Sequence, residues 1–169
     1  MKMFTLNPSV KLLALFIACT LSLASCKKSD DDKPADSPYL SVKIDGQKKN
    51  STGPVVAGVM KVAGVTALTI QGQFSTNEGV ALMLTDSKVG EYKVLTEDQP
   101  SFEGNAATGV YLADIAKSQS YDSVSGTVKI TSSTDKLISG TFEFTAKNEA
   151  GATKTFSEGS FQATVTTVQ

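Results

Sequence analysis

Ile138-Ser139-Gly140-Thr141-Phe142-Glu143-Phe144-Thr145-Ala146-Lys147 alternates apolar and polar residues without a break. In an extended chain Ile138, Gly140, Phe142, Phe144 and Ala146 share one face, and Ser139, Thr141, Glu143, Thr145 and Lys147 the other. This is the pattern of a long strand with one face in a core and one in water. The stretch has echoes on both sides. Gly126-Thr127-Val128-Lys129-Ile130-Thr131 repeats the Gly-Thr-apolar-charged-apolar-Thr order of Gly140 to Thr145, and Gly159-Ser160-Phe161-Gln162-Ala163-Thr164 repeats it loosely. The spacings differ, so these are neighbouring strands meeting one packing demand, not units of a fixed-period repeat.

Asn148-Glu149-Ala150-Gly151 turns the chain into the last strand. There Phe156 is even-numbered whereas Phe161, Ala163 and Val165 are odd. A regular strand would send one set to solvent, so a β-bulge is predicted at Ser157-Glu158-Gly159, with Gly159 supplying the unusual backbone angles.

The same period continues toward the N-terminus. Leu40, Val42 and Ile44 alternate with Ser41, Lys43 and Asp45, and Asp45-Gly46 is a strong hairpin signal. Val56, Met60 and Val62 suggest the face of a second strand. Leu68, Ile70 and Phe74 line one face of the next. Val80, Leu82 and Leu84, with Ala81 and Met83 between them, read as a strand covered on both faces. Gly90 to Val94 is short. Helical periodicity is hard to find anywhere. The expectation is an all-β domain over 39–169: a single antiparallel β-sandwich or barrel of about nine strands, mostly a meander.

The first 38 residues are different. Lys2 and Lys11 precede an uncharged apolar run from Leu12 to Ser25. It is shorter than the about 20 residues a spanning helix needs, and it fits the apolar region of a secretory signal peptide. The run ends at Leu23-Ala24-Ser25-Cys26, which resembles the lipobox of bacterial lipoproteins. That resemblance implies a signal peptide over 1–25, signal peptidase II cleavage between Ser25 and Cys26, and diacylation of the Cys26 thiol. Cys19 lacks the motif, since Phe16 stands where a Leu-like residue belongs. Cys26 is then the single cysteine of the mature chain, and no intrachain disulfide can form. Residues 26–38 contain Asp30-Asp31-Asp32 and Pro34, and no large apolar group follows Cys26; they read as a flexible acidic tether. Cys26 to Asp32 resembles the acid-rich export signals of surface lipoproteins of Bacteroidota, which implies an outer-membrane protein facing outward, with the periplasmic leaflet as the alternative.

Tyr39 to Gly46, Gly90-Glu91-Tyr92, Ser125 to Thr131, Ser139 to Thr145 and Glu158 to Phe161 together resemble an uncharacterised family of short Bacteroidota lipoproteins, a domain of unknown function. The resemblance spans nearly all of Tyr39 to Val168. It implies an all-β fold and assigns no catalytic, cofactor or metal residue.

The residue types that are missing narrow the chemistry. The sequence has no His, no Trp and no Arg. A Ser-His-Asp or Cys-His nucleophile and a His-ligated metal are excluded. No glycine-rich phosphate loop opens a helix, so no cofactor is expected. Beyond Lys2 and Lys11 there remain 14 lysines against 17 acids, a mildly acidic balance that disfavours nucleic acid. Carboxylates at Glu97, Asp98, Glu103, Asp114 and Asp122 lie on polar loops. Two segments exceed hairpin length, Thr96 to Thr108 and Ala116 to Val124, and carry Phe102 and Tyr121 as candidate binding residues. In a simple meander the Phe102 loop shares an end with Gln47–Gly53, and Tyr121 lies opposite. The leading expectation is a non-enzymatic binding or structural module on a lipid anchor, with a glycan, peptide or envelope protein as partner. A calycin-like barrel holding a small apolar ligand is the alternative; a cavity lined by Phe74, Leu82, Phe142 and Phe144 would favour it. A carboxylate-dependent hydrolase comes third and needs two convergent acids.

Overall fold

The computed structural model describes residues 37–62, 65–96 and 104–168. The leader, Ser25, Cys26 and nearly all of the tether lie outside the described residues. Ten strands follow in order: β1 (Tyr39–Ile44), β2 (Gln47–Asn50), β3 (Val56–Val62), β4 (Val65–Ser75), β5 (Glu78–Leu84), β6 (Gly90–Val94), β7 (Ala106–Asp114), β8 (Gln119–Ser133), β9 (Leu137–Lys147) and β10 (Thr153–Val168). The fold is all-β, as the alternation predicts. The strand without a sequence signal is β2. Gln47-Lys48-Lys49-Asn50 carries no apolar residue, and it is extended because the preceding turn returns it along β1. Asp45 and Gly46 adopt φ of 50° and 82°, the left-handed pair that a two-residue hairpin turn requires.

All ten strands join one mixed sheet that closes in a ring. β3 to β5 and β7 to β10 run as antiparallel meanders. β10 closes the ring: β9 lies along one side of it, while β1 and β3 share the other side end to end. Two pairings are parallel, β10 with β3 and β6 with β7. Period two is the same in parallel and antiparallel strands, so the sequence pattern could not separate them. The β6–β7 pairing also explains the long segment after Val94. Parallel neighbours cannot be joined by a tight turn and need a connection of roughly a dozen residues.

The second long segment is not a loop. Asp114 pairs with Gln119 across a short turn, and Tyr121 sits within β8 opposite Tyr111. Gln119 to Ser123 is too polar to announce itself as a strand. The meander placement is also corrected. β1 pairs with β10 and not with β3, which brings the Asp45-Gly46 turn to the same rim as the β7–β8 turn, beside Tyr121. We call this the first rim; it also carries the turns at Thr76-Asn77 and Asn148–Ala152. The second rim carries Thr85–Val89 and the β8–β9 turn.

Two faces differ from expectation. In β3 the inward set is Ala57 and Val59, continuing from Val55, while Met60 is 50% exposed. The small Ala57 hides the true parity. In β5 only Val80, Leu82 and Leu84 point inward; Met83 is 46% exposed, so one face is covered and not two.

The bulge in β10 is present. Phe144 pairs with Phe156 and Phe142 with Gly159, so three residues of β10 advance against two of β9. The extra residue lets Phe156 and Phe161 both reach the core, at 1% and 0% exposure. Its left-handed residue is Glu158, with φ of 52°, and not Gly159. Gly159 is needed for clearance, since a Cβ there would stand 2.4 Å from the Phe142 carbonyl oxygen. A second bulge between Ser123 and Ser125 bends β8. Beside it Gly126 has φ of 137°, and a Cβ would stand 2.2 Å from the Glu143 oxygen. Bulges sharpen the local bend and twist that closure of a sheet demands.

Candidate functional site

The interior is filled. Phe144 stacks on Phe156 at 4.2 Å between centroids, and Tyr111 meets Phe156 edge-on at 5.2 Å. Phe142 continues the column to Phe144 at 5.9 Å and to Phe161 at 6.4 Å. Even a methyl group finds little room: a Cβ on Gly109 would stand 3.1 Å from Phe144 Cζ and 3.3 Å from Leu82 Cδ2. The rings from β7, β9 and β10 thus occupy the space where an apolar ligand would sit. That packing counts against the carrier reading.

At the first rim, three inward positions are polar. Glu78 precedes Val80, Leu82 and Leu84 on the inner face of β5. Lys49 faces inward from β2 because it pairs with the inward Val42. Lys49 Nζ lies 2.5 Å from Glu78 Oε1, and the Tyr111 hydroxyl donates to the same oxygen. Burial, and then this bond to a carboxylate, push the Tyr111 phenol well above its ordinary value. Beside this trio stands another. Lys154 Nζ is 3.0 Å from Asp45 Oδ2 and 5.4 Å from the centroid of the Tyr121 ring, within cation–π range. Thr155 N–H donates to Asp45 Oδ1 at 2.9 Å. That backbone donor, and then Lys154, hold the Asp45 carboxyl below its ordinary range. Each acid in the two trios has a lysine, and both tyrosines are engaged. The arrangement closes the rim and joins β1, β2, β5, β7 and β10.

The second rim differs. A groove of about 780 Å³ lies on the outer face around the β8–β9 turn, lined by Ser132, Asp135, Lys136, Ser139, Gln162 and Thr164 among others. The turn is held by Thr134, whose hydroxyl donates to the Leu137 oxygen at 2.9 Å and accepts from its N–H at 3.0 Å. Ser139 Oγ lies 3.2 Å from Gln162 Oε1, and Gln162 Nε2 donates to the Ser37 oxygen at 3.2 Å. Asp135 and Lys136 are exposed and form no ion pair among the described residues. The lining also includes Leu137 and Val165, so it combines hydroxyls, one amide and one charge of each sign with an apolar floor and no aromatic ring. Such a surface can offer both hydrogen bonds and apolar contact to a ligand.

Among the described residues, those singled out from sequence are not brought together. Phe102, with Glu97, Asp98 and Glu103, lies outside the described residues. Tyr121 is half-buried in a strand, one ring face under Lys154 and its neighbour Tyr111 at 6.0 Å, so it is no open platform for a sugar. Asp114 bonds to Lys117 at 2.8 Å, and Asp122 is an exposed strand residue. Sequence reasoning missed Lys49, Glu78 and Lys154. Two of these had a signal: Glu78 shares its parity with Val80, Leu82 and Leu84, and Lys154 with Phe156. A charged residue in register with a buried face marks a paired charge at its end. The groove had none, because it forms where β8, β9, β10 and the β8–β9 turn meet, and no single strand records that meeting.

No curated protein and no solved structure matches the chain. The family model described as Domain of unknown function (DUF6252) matches residues 41–164, the described strands from β1 into β10. The match covers most of the sequence, and the chain belongs to this family.

Proposed function

We propose that the protein is a lipid-anchored lipoprotein of the outer membrane, facing the cell surface, whose β domain binds a neutral polar ligand without transforming it. Leu23-Ala24-Ser25-Cys26 and the acidic Asp30-Asp31-Asp32 support the anchor and the outward location. Two acyl chains on Cys26 would hold it stably without a spanning segment. The observation that carries the binding reading is the second-rim groove. Its volume falls within the about 300–1,000 Å³ of ligand sites, and its serine and threonine hydroxyls beside Leu137 and Val165 suit the polar edges and apolar face of a sugar. At the first rim Glu78 and Asp45 each pair with a lysine and the Tyr111 hydroxyl is bonded, which supports a structural role for those groups.

The direct experiment is a glycan array probed with the compact unit Ala35–Gln169, alongside Gln162→Ala and Lys136→Ala variants. Binding that falls in both variants supports the groove. Hits retained at full strength in both would move the site elsewhere, and an array without hits would remove the glycan. The anchor is tested separately: Cys26→Ala should release the chain from membranes, and continued sedimentation after carbonate washing would refute lipidation.

A further inference from the structure

The sequence holds four methionines, and two of them, Met1 and Met3, fall in the leader outside the described residues. The other two, Met60 and Met83, stand outside the core. Methionine commonly fills irregular gaps in a core, because its side chain is unbranched and polarisable. Here the buried apolar side chains among the described residues are aliphatic or aromatic throughout, and none carries sulfur. Met60 on β3 and Met83 on β5 point outward instead, 50% and 46% exposed. Register sets Ala67 beside Met60, and Thr69 and Thr108 on either side of Met83, so short side chains flank both thioethers. β4 lies between the two, which puts them about 10 Å apart across the sheet and lets each react alone.

Other readily oxidised groups are absent or covered. The chain has no His and no Trp. Tyr92 and Tyr111 are buried, and their hydroxyls are bonded to the Lys88 oxygen and to Glu78. Oxidation of a thioether in a core turns an apolar group into a polar one and disrupts the packing around it. On the outer face the added oxygen meets water, and no buried contact is lost. The described thioethers therefore stand where oxidation costs the fold least.

We propose that Met60 and Met83 are a pair of reversible oxidation sites at which the domain consumes hydroperoxides while staying folded. The thioether sulfur attacks the terminal peroxide oxygen, the O–O bond breaks, and an S–O bond forms. The hydroxyl proton passes to the departing oxygen, which leaves as water or an alcohol. Sulfur is oxidised by two electrons and the peroxide is reduced by two. A dithiol, acting through a methionine sulfoxide reductase, reverses the step: the sulfoxide oxygen leaves as water and the dithiol becomes a disulfide. Reduction requires a reachable sulfoxide, and the same exposure provides it. The inference rests on neither the groove nor the anchor.

The test treats the full chain, purified from its membranes, with hydrogen peroxide. Lys61 separates the two methionines, so a tryptic digest reports them on different peptides, 50–61 and 62–88. Each peptide should gain about 16 Da, at a rate within about threefold of that in the urea-unfolded chain. The oxidised domain should keep the urea midpoint of the untreated one. Sulfoxide reductases for both epimers, with a dithiol, should restore the masses without unfolding. Leu40→Met is the control, a volume-conserving change at a fully buried position. In the folded chain its peptide should gain oxygen at least about tenfold more slowly than the Met83 peptide. Oxidation of Met60 or Met83 that is fast only in urea, a lowered midpoint after oxidation, or sulfoxides reducible only after unfolding would overturn the proposal. So would a Leu40→Met peptide that oxidises as fast as that of Met83.

Discussion

The two rims of the ring hold similar polar side chains and use them oppositely. At the first rim Lys49 meets Glu78, Lys154 meets Asp45, and both tyrosines are drawn into the same contacts. At the second rim Asp135, Lys136 and Thr164 turn toward a groove. The difference lies in parity. Lys49, Glu78 and Lys154 sit in register with the core face, so leaving water obliges them to find partners, and Asp45 meets Lys154 from the exposed turn. The second-rim groups sit on the outer face, where Asp135, Lys136 and Thr164 are exposed while Ser139 and Gln162 bond to each other. A rim of the first kind is a closure, and a rim of the second kind is available for recognition.

The largest break in this contrast should come from Glu78→Ala. It strands the Lys49 ammonium and the Tyr111 hydroxyl together, and we expect a loss of about 2–3 kcal/mol in urea unfolding. Glu78→Gln, which still accepts from Tyr111, should lose less. A cost near zero would mean that the trio does not hold the rim. Asp45→Ala removes one ion pair and one backbone bond at a half-exposed turn, and about 1 kcal/mol is expected. Its effect should fall chiefly on hydrogen exchange of the Thr155 amide.

Titration sharpens the same comparison. Tyr111 is held neutral in the folded chain, whereas an unfolded tyrosine ionises near pH 10. Above about pH 10 the unfolded state sheds a proton that the native state keeps, so stability should fall as pH rises further. Tyr111→Phe should reduce that slope without erasing it, since burial also raises Tyr92. Asp45 has the opposite sign. Its folded value lies below the about 3.9 of an ordinary aspartate, so its contribution is full above that pH and is lost as pH falls through the folded value. Asp45→Asn should flatten the acid limb of the stability profile. The smallest stability effect belongs to the second rim: Lys136→Ala, at an exposed turn position, should change unfolding by no more than about 0.5 kcal/mol, as surface changes do, while lowering ligand binding.

Much of the fold was legible because the core repeats one pattern. β9 could be read residue by residue, and the mismatch between Phe156 and Phe161 was enough to locate the bulge. What failed had local causes. β2 has no apolar residue, Ala57 blurred the inward face of β3, and the start of β8 looks like a loop because polar residues fill both of its faces. Parallel pairing was invisible, since period two is the same in either direction, and β7 shows no clear alternation because Val110 to Ala113 is a continuous apolar run. Glu78 could have been recognised by parity, whereas the groove depends on how β8, β9 and β10 meet at one turn, which no single strand records.

The place of β10 has a consequence for how the chain acquires its structure. This strand completes contacts with β1, β3 and β9, joining the first residues of the domain to the last. Sequence-distant pairing of this kind gives a high contact order, and folding should be slow for the size of the domain. Until the final 16 residues arrive, three strands keep open edges, so ring closure is the last event and not the first. A chain ending before Thr153 should therefore not be a smaller stable domain but an open sheet prone to pair with its neighbours.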